Sequence, residues 1–481
     1  MRRSIIALAL LIILSVTVIC AAAINVDSER DKVVITPDHF FGEEHVDGLQ
    51  VRTRNTLGRY LLWETTYNIE NDPDTDYSFY NNKYMTDYDF YRERYNEKNE
   101  REYEGIVVNA NIEYGCDFDR DAEDQYGLAR AYKELYDQVL PGEEKKKEIL
   151  VKDYYEFYPI GAEINLPHYT LGWFGPLDYS SIAPEPSWDE YVYMRLEEYF
   201  RIPVIDEETL EISISKSSRG DGVGIGSGNN KDTDAFRMFS DGVRTDDACY
   251  FTFDAHTDKG EIVDLSYLPE GYGIYKVPYK TEPKNASSIL IDELDMVYPL
   301  DPSPKLLEMS LDQDKTKLLL HTIENDKLVM TVIDLNTMTQ TQRLELNDWD
   351  RDNNGWQMYD GGDFIVFYVQ YHEITLLSVN ENGDYEIEFI HEFDNGNPLY
   401  IDYISERSGA SMDFDGEKLA IAKNLNTTND NACTFYVAVF DKTGLISYGQ
   451  YGNSLNTRGS FSYDDTCRPC DKDPIIIEWV K

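Results

Sequence analysis

The sequence predicts an all-β fold built from repeated four-stranded units, and three observations support this. Short apolar segments rich in β-branched and aromatic residues recur along most of the chain. Asp, Asn and Gly residues, which accept the backbone geometry of tight turns, separate these segments. One motif in the C-terminal half occurs twice. Together these features indicate several small antiparallel sheets along one chain.

The repeated motif begins with a serine and ends where an apolar segment starts. Ser310–Leu318 aligns without gaps on Ser411–Leu419, and the two copies share Ser, Asp, Asp, Lys and Leu at the same positions. Tyr359–Tyr368 occupies the same role between them in a looser form. We expect each copy to form the turn between the first two strands of one unit.

A second polar turn follows each of these segments. Asp334, Asn380 and Asp441 end apolar strands at spacings of 46 and 61 residues. Four strands per repeat of this length are typical of β-propeller blades, whose faces are buried only against neighbouring blades. The sequence therefore predicts a β-propeller-like fold of about seven four-stranded blades. A pair of β-sandwiches is the alternative.

Weaker strand patterns lie outside this region. They are Lys32–Thr36, Gly48–Thr53, Arg59–Thr65, Glu211–Lys216, Ala248–Asp254, Glu261–Leu265 and Gly273–Val277. Near the end, Pro474–Val480 is an apolar segment that we interpret as a closing strand. We expect it to pair with the region around Lys32, because such pairing removes free sheet edges.

From Leu306 to Gly452 the chain resembles the WD-like β-propellers of bacterial exported proteins. Blades of that family often carry a Ser-Pro-Asp-Gly-like first turn and an Asp-x-x-Thr-Gly-like second turn. Leu311 and Met412 stand where the proline is expected, and only Gly416 keeps the turn glycine. The resemblance implies a closed ring with a central channel, and no particular activity.

The N-terminal segment predicts export across a membrane. Arg2 and Arg3 precede an uncharged apolar run, and Ala21 to Ala23 offer a cleavage site, so residues 1–23 form a signal peptide in this interpretation. An uncleaved anchor at residues 5–24 is the alternative, since about 20 apolar residues suffice to cross a bilayer. Residues 24–481 would then form the propeller-like domain outside the cytoplasm.

The charge balance excludes several partner classes. The chain has 90 acidic against 44 basic residues, a formal net charge of −46. Nucleic acids would be repelled because phosphate binding needs a basic surface. Anionic membrane surfaces are disfavoured for the same reason, which leaves the N-terminal segment as the only expected membrane contact. Such a charge favours solubility and cation binding.

Residues 71–151 do not fit a blade, and we interpret them as a Tyr-rich, partly helical insertion. A helix is predicted between Arg120 and Leu140. The tyrosines at the start of the insertion are spaced by three or four residues, which would place them on one helix face. They are Tyr77, Tyr80, Tyr84, Tyr88, Tyr91 and Tyr95. Such a face would either pack on the propeller or stack against sugars.

Calcium is the ligand with the best sequence support. Asp350, Asp352 and Asn354 are followed by Gly355, so oxygen donors alternate before a sharp turn. Gly361 stands where an EF-hand requires glutamate, so the segment is not an EF-hand. We predict one calcium site at these three residues, and ordinary Asx turns are the competing interpretation.

Cysteine usage and enzyme motifs give little indication of chemistry. Cys467 and Cys470 form a C-x-x-C pair that we interpret as a short disulfide, with free thiols or a metal or redox centre as alternatives. No G-x-S-x-G or H-E-x-x-H motif occurs, and no catalytic residue can be assigned.

The sequence favours an exported, non-catalytic protein that binds a protein or glycan partner. A carbohydrate-active hydrolase on a propeller scaffold is the alternative.

Overall fold

The computed structural model describes most of the chain. The described residues are 2–30, 35–42, 46–57, 61–68, 74–79, 105–110, 112, 118–123, 125–166, 169–174, 187–219, 222–229, 235–280, 285–349, 356–369, 373–393, 410–424, 434–453, 467–469 and 475–480. They form two compact units. The terminal unit consists of Met1–Arg92 and Asp350–Lys481, and the central unit consists of Glu93–Trp349.

Three α-helices accompany the strands in the described residues. They are α1 (Arg2–Arg30), α2 (Gly127–Tyr136) and α3 (Trp188–Tyr199). Helix α1 contains the apolar segment predicted for export. No helix meets the length and apolar character of a membrane span when the search is restricted to the described residues.

The strands make up most of the remaining structure. The first half of the chain contains β1 (Ile35–Gly42), β2 (Leu49–Leu57), β3 (Leu61–Asn68), β4 (Asp74–Phe79), β5 (Gly105–Ala110), β6 (Glu144–Leu150), β7 (Ile160–Leu166), β8 (Tyr169–Phe174), β9 (Thr209–Lys216), β10 (Val223–Asn229), β11 (Phe236–Arg244) and β12 (Ala248–Thr257). The second half contains β13 (Gly273–Pro278), β14 (Asp295–Pro299), β15 (Lys305–Leu311), β16 (Lys317–Glu324), β17 (Lys327–Asp334), β18 (Thr339–Asp348), β19 (Trp356–Asp360), β20 (Phe364–Val369), β21 (Glu373–Val379), β22 (Tyr385–Glu392), β23 (Ala410–Phe414), β24 (Leu419–Asn424), β25 (Thr434–Asp441), β26 (Gly444–Asn453), β27 (Cys467–Pro469) and β28 (Ile475–Trp479).

These strands form seven small antiparallel sheets, which confirms the predicted all-β, propeller-like fold class. Three sheets are four-stranded meanders in chain order, namely β11 to β14, β15 to β18 and β19 to β22. Two have five strands, with the orders β1-β26-β25-β24-β23 and β27-β2-β3-β4 with β28 also on β2. The two others, β5-β7-β8 and β10-β9-β6, have three, so the predicted four strands per blade hold for only part of the chain.

In the terminal unit, the sheets at the two ends of the chain exchange strands. Strand β1 pairs with β26 and adds a fifth strand to the sheet of β23 to β26. Strand β28 pairs with β2, with Val51 opposite Ile477. The predicted closing strand is therefore confirmed, but its predicted partner near Lys32 is wrong. The side chains of Val51 and Ile477 are both buried, in a core that β2 and β28 share with β24 and β25.

Side chains on one sheet accept hydrogen bonds from backbone N–H groups of the next sheet. These N–H groups belong to edge strands, which have no neighbouring strand on that side to accept the bonds. In the terminal unit, Ser411 Oγ accepts from the Ile477 N–H at 3.0 Å and Asp413 Oδ2 from the Trp479 N–H at 2.6 Å. In the central unit, Asp241 Oδ2 accepts from the Met309 N–H at 2.7 Å. These contacts fix β23 against β28 and β11 against β15.

The repeated motif aligns differently in the structure than in the sequence. Leu311 pairs with Leu318, whereas Phe414 pairs with Leu419, so the first copy has the longer turn. Asp312 therefore corresponds to Asp415, and each accepts backbone N–H groups of its own turn. For the strand before the turn, the gapless alignment matches each residue of the first copy with a residue two positions too early in the second copy. Because the shift is even, it keeps every side chain on its predicted face.

The second polar turn is confirmed in all three repeats. Asp334, Asn380 and Asp441 each accept backbone N–H groups two to four residues further along the chain, at 2.7 to 3.0 Å. Hydrogen bonds from Thr337 and Thr443 hold the pKa of Asp334 and Asp441 below the usual aspartate value. These carboxylates therefore hold their turns most firmly when they are ionised.

The predicted insertion, residues 71–151, contains elements of three sheets. Strands β4, β5 and β6 lie in it and belong to different sheets. Helix α2 confirms the middle of the helix predicted between Arg120 and Leu140. Tyr77 lies in strand β4, so the helical tyrosine face is wrong at that residue. The other five tyrosines lie outside the described residues.

Candidate functional site

The candidate site is a partly open cavity of about 180 Å³ in the central unit. It lies between the sheet of β11 to β14 and the sheet of β15 to β18, and we call it the inter-sheet pocket. Its lining residues are Thr252, Tyr272, Tyr298, Pro299, Leu300, Asp301, Pro304, Leu306, Leu320, Thr322, Glu324, Thr331, Gln340 and Arg343. Aromatic, aliphatic and polar groups thus meet around one small space.

The wall contributed by β12 to β14 is fixed by hydrogen bonds. Thr252 Oγ1 donates to the Gly273 carbonyl at 2.9 Å, and the Tyr272 hydroxyl donates to the Phe253 carbonyl. At Gly273 a Cβ atom would lie 2.2 Å from the Tyr298 carbonyl oxygen. Glycine at this position therefore allows β13 and β14 to approach closely, which places Tyr272 and Tyr298 in the same wall.

The opposite wall carries a charged network. Arg343 Nη2 donates to Glu324 at 2.8 Å, and its Nη1 donates to Glu345 at 3.4 Å. Thr322 Oγ1 donates to the other oxygen of Glu324 at 3.1 Å. The hydrogen bond to Glu324 is the main reason that the pKa of Arg343 is raised. The guanidinium is thus held in one orientation beside the pocket.

A second carboxylate lies in the connection between β14 and β15. Asp301 accepts hydrogen bonds from the backbone N–H and the hydroxyl of Ser303, at 2.8 and 2.6 Å. These bonds lower the pKa of Asp301, so the group is ionised near neutral pH. The pocket therefore presents two carboxylates and one guanidinium together with neutral hydrogen-bonding groups.

Asp254 supports the pocket from behind its wall. Its side chain is 2 % exposed, and Oδ2 accepts from the N–H of the lining residue Leu306 at 3.0 Å. Desolvation raises the pKa of this carboxyl, and His256, whose Nδ1 lies 3.8 Å from Oδ1, acts in the opposite direction. Asp254 thus holds strand β15 in place rather than facing a ligand.

The lining combines apolar and polar groups. Tyrosine, proline and leucine provide apolar walls, and threonine, glutamine, arginine and the carboxylates provide fixed donors and acceptors. The pocket can therefore contact both apolar and polar parts of an occupant.

The residues predicted from the sequence to bind calcium or to form a disulfide lie mostly outside the described residues. Asp350, Asp352 and Asn354 lie outside the described residues, as does Cys470. Cys467 lies in β27, where it pairs with Leu57. Within the part of the chain that the structure describes, no group of three His, Cys, Asp or Glu side chains could hold a metal ion.

Comparisons with known proteins do not assign this chain to a family. No family model matches, and no curated protein matches. A putative 6-phosphogluconolactonase from Bacteroides fragilis is 9% identical with a TM-score of 0.27, covering 90% of this chain and 99% of that one. The WD40 domain of SCAP from fission yeast is 9% identical with a TM-score of 0.26, covering 90% and 92%. Because such TM-scores carry no argument, the fold assignment rests on the sheet topology.

Proposed function

We propose that this chain is an exported, non-catalytic β-propeller-like protein that binds a protein or glycan partner outside the cytoplasm. The apolar run between Arg3 and Ile24 supports export, and cleavage after Ala23 or anchoring by residues 5–24 are both compatible with it. Partner binding is supported by rigid sheets whose connections form recognition surfaces.

The inter-sheet pocket is the observation that carries this proposal. Its volume of about 180 Å³ is smaller than that of typical sites for whole small molecules, which begin at about 300 Å³. It fits one anchoring group, such as a partner side chain or a single sugar ring. The fixed network of Arg343 and Glu324 would orient the hydroxyl, amide or charged end of that group.

Filling the pocket tests the proposal. Gln340 is exposed on the outer strand β18, so Gln340→Trp should block the pocket while leaving the fold intact. We expect saturable binding, measured on a glycan array and against purified extracellular proteins of the source organism, to fall about tenfold or more, as expected for loss of a central contact. Thr341→Trp, at the next exposed position of the same strand, is the matched control.

Two results would contradict the proposal. One is binding that both tryptophan variants retain equally. The other is release of sugars from a polysaccharide substrate by the wild-type chain, which would favour the hydrolase alternative.

Calcium at Asp350, Asp352 and Asn354 is a separate part of the proposal. A bound ion would raise the melting temperature by mass action, because it binds only the folded chain. An unchanged melting temperature after addition of a chelator would contradict the predicted calcium site.

A further inference from the structure

An exposed tryptophan begins helix α3 on the surface of the central unit. Trp188 is 58 % exposed although it is the largest side-chain type. A capping box fixes this end of the helix, since Ser187 Oγ accepts from the Glu190 N–H and the Glu190 carboxylate accepts from the Ser187 N–H. The indole therefore projects from an ordered helix end and lies largely in solvent.

A second aromatic ring stands perpendicular to the indole. The Tyr191 ring centroid lies 5.7 Å from that of Trp188, with an interplanar angle of 87°. The Tyr191 hydroxyl donates to Asp292 Oδ1 at 2.7 Å, which ties the ring to the connection between β13 and β14. Two rings at a right angle beside a carboxylate form a corner lined by π-faces and negative charge.

One basic side chain reaches this corner, and two carboxylates hold it. Arg195 Nε donates to Asp292 Oδ1 at 3.1 Å, and its Nη1 donates to Glu198 at 2.7 Å. The local surface thus keeps a net negative charge after Arg195 is counted, in agreement with the net charge of −46 for the whole chain.

We propose that Trp188, Tyr191 and Asp292 form a binding corner for a Lys or Arg side chain of a basic protein segment. The cation would lie against the aromatic rings and within reach of the Asp292 carboxylate. The negative field of the chain would speed the approach of a basic partner. This corner is independent of the inter-sheet pocket, because none of its residues lines that pocket.

A cationic partner fits this corner better than a neutral glycan. Sugars also stack on aromatic rings, but they gain nothing from the negative charge by which Glu198 and Asp292 together exceed Arg195. A cation gains from both the rings and the carboxylates. Glycan binding that depends on Trp188 is therefore an outcome that would overturn the proposal.

Binding of labelled Lys- and Arg-rich decapeptides, measured by fluorescence anisotropy, tests the proposal on the full chain lacking residues 1–23. We expect Trp188→Ala to weaken binding about two- to fivefold, the range of an exposed cation–π contact. Trp188→Ala leaves the charge unchanged, so non-specific attraction to an acidic protein would not change. Asp292→Asn should weaken binding further and reduce its dependence on salt.

Matched controls separate the corner from the rest of the surface. Tyr126→Ala removes another aromatic side chain that is 70 % exposed, and Asp206→Asn removes another exposed carboxylate, one paired with Lys152. Both should bind the peptides like the wild-type chain. Equal affinity of Trp188→Ala and wild type, at unchanged melting temperatures, would contradict the proposal without affecting the test of the inter-sheet pocket.

Discussion

Phe200→Ala is expected to destabilise the central unit by about 3–5 kcal/mol, the usual cost of removing a buried phenylalanine ring. Phe200 is the C-cap residue that follows helix α3, and it is fully buried. Its ring packs on Tyr275 at 4.9 Å and on Phe251 and Phe253 at 5.8 and 5.7 Å, in edge-to-face arrangements. The residue thus joins the helix to the sheet of β11 to β14. Urea denaturation followed by circular dichroism measures the effect.

Two variants are controls for this prediction. Phe200→Leu keeps an apolar side chain and should cost clearly less, because it leaves a smaller cavity. Leu140→Ala removes an apolar side chain that is 63 % exposed and should change stability by less than about 0.5 kcal/mol. A Phe200→Ala chain as stable as Leu140→Ala would show that α3 is not packed on this sheet.

His321→Leu is expected to remove part of the loss of stability at acidic pH. His321 is fully buried in β16, and burial lowers its pKa to about 3. The unfolded chain takes up the proton near pH 6.5, whereas the folded chain does not until about pH 3. This histidine therefore costs no stability above pH 6.5, and it lowers stability progressively as the pH falls toward 3.

The size of this effect follows from linkage. Each pH unit in that range lowers the free energy of unfolding by at most about 1.4 kcal/mol for one such group. Between pH 6.5 and 4.5 the wild-type chain should lose about 2–3 kcal/mol more than His321→Leu. Urea titrations at both pH values measure the difference, and parallel losses in the two proteins would contradict the buried, neutral histidine. His391→Leu, at a half-buried position, is the matched control.

The strand architecture could be predicted from local sequence because each turn is a local structure. Asp334, Asn380 and Asp441 bind backbone groups within four residues, so their role is visible in the sequence itself. Pairing partners were harder to predict. Strand β28 pairs with β2, which lies more than 400 residues earlier, and no local pattern distinguishes β2 from β1 as its partner.

The inter-sheet pocket and the proposed binding corner at Trp188 could not be predicted, for a related reason. The inter-sheet pocket combines residues of six strands and their connections, and none of these residues belongs to a recognisable motif. Trp188 was visible in the sequence, but its exposure depends on which face of α3 packs on the sheets. Ser411 and Asp413 were identified as part of a turn repeat, whereas the structure shows that they bind the edge of β28.

Cross-linking of β2 to β28 tests the central claim. This claim is that the sheets at the two ends of the chain are each completed by a strand from the opposite end. Gln50 lies opposite Glu478, at a Cα separation within the range that disulfides span. We expect Gln50→Cys with Glu478→Cys to form an intramolecular disulfide on mild oxidation, identified by peptide mass spectrometry. Thr36→Cys with Glu478→Cys should not, because Thr36 pairs with Gly452. A disulfide in the second pair but not in the first would contradict the account.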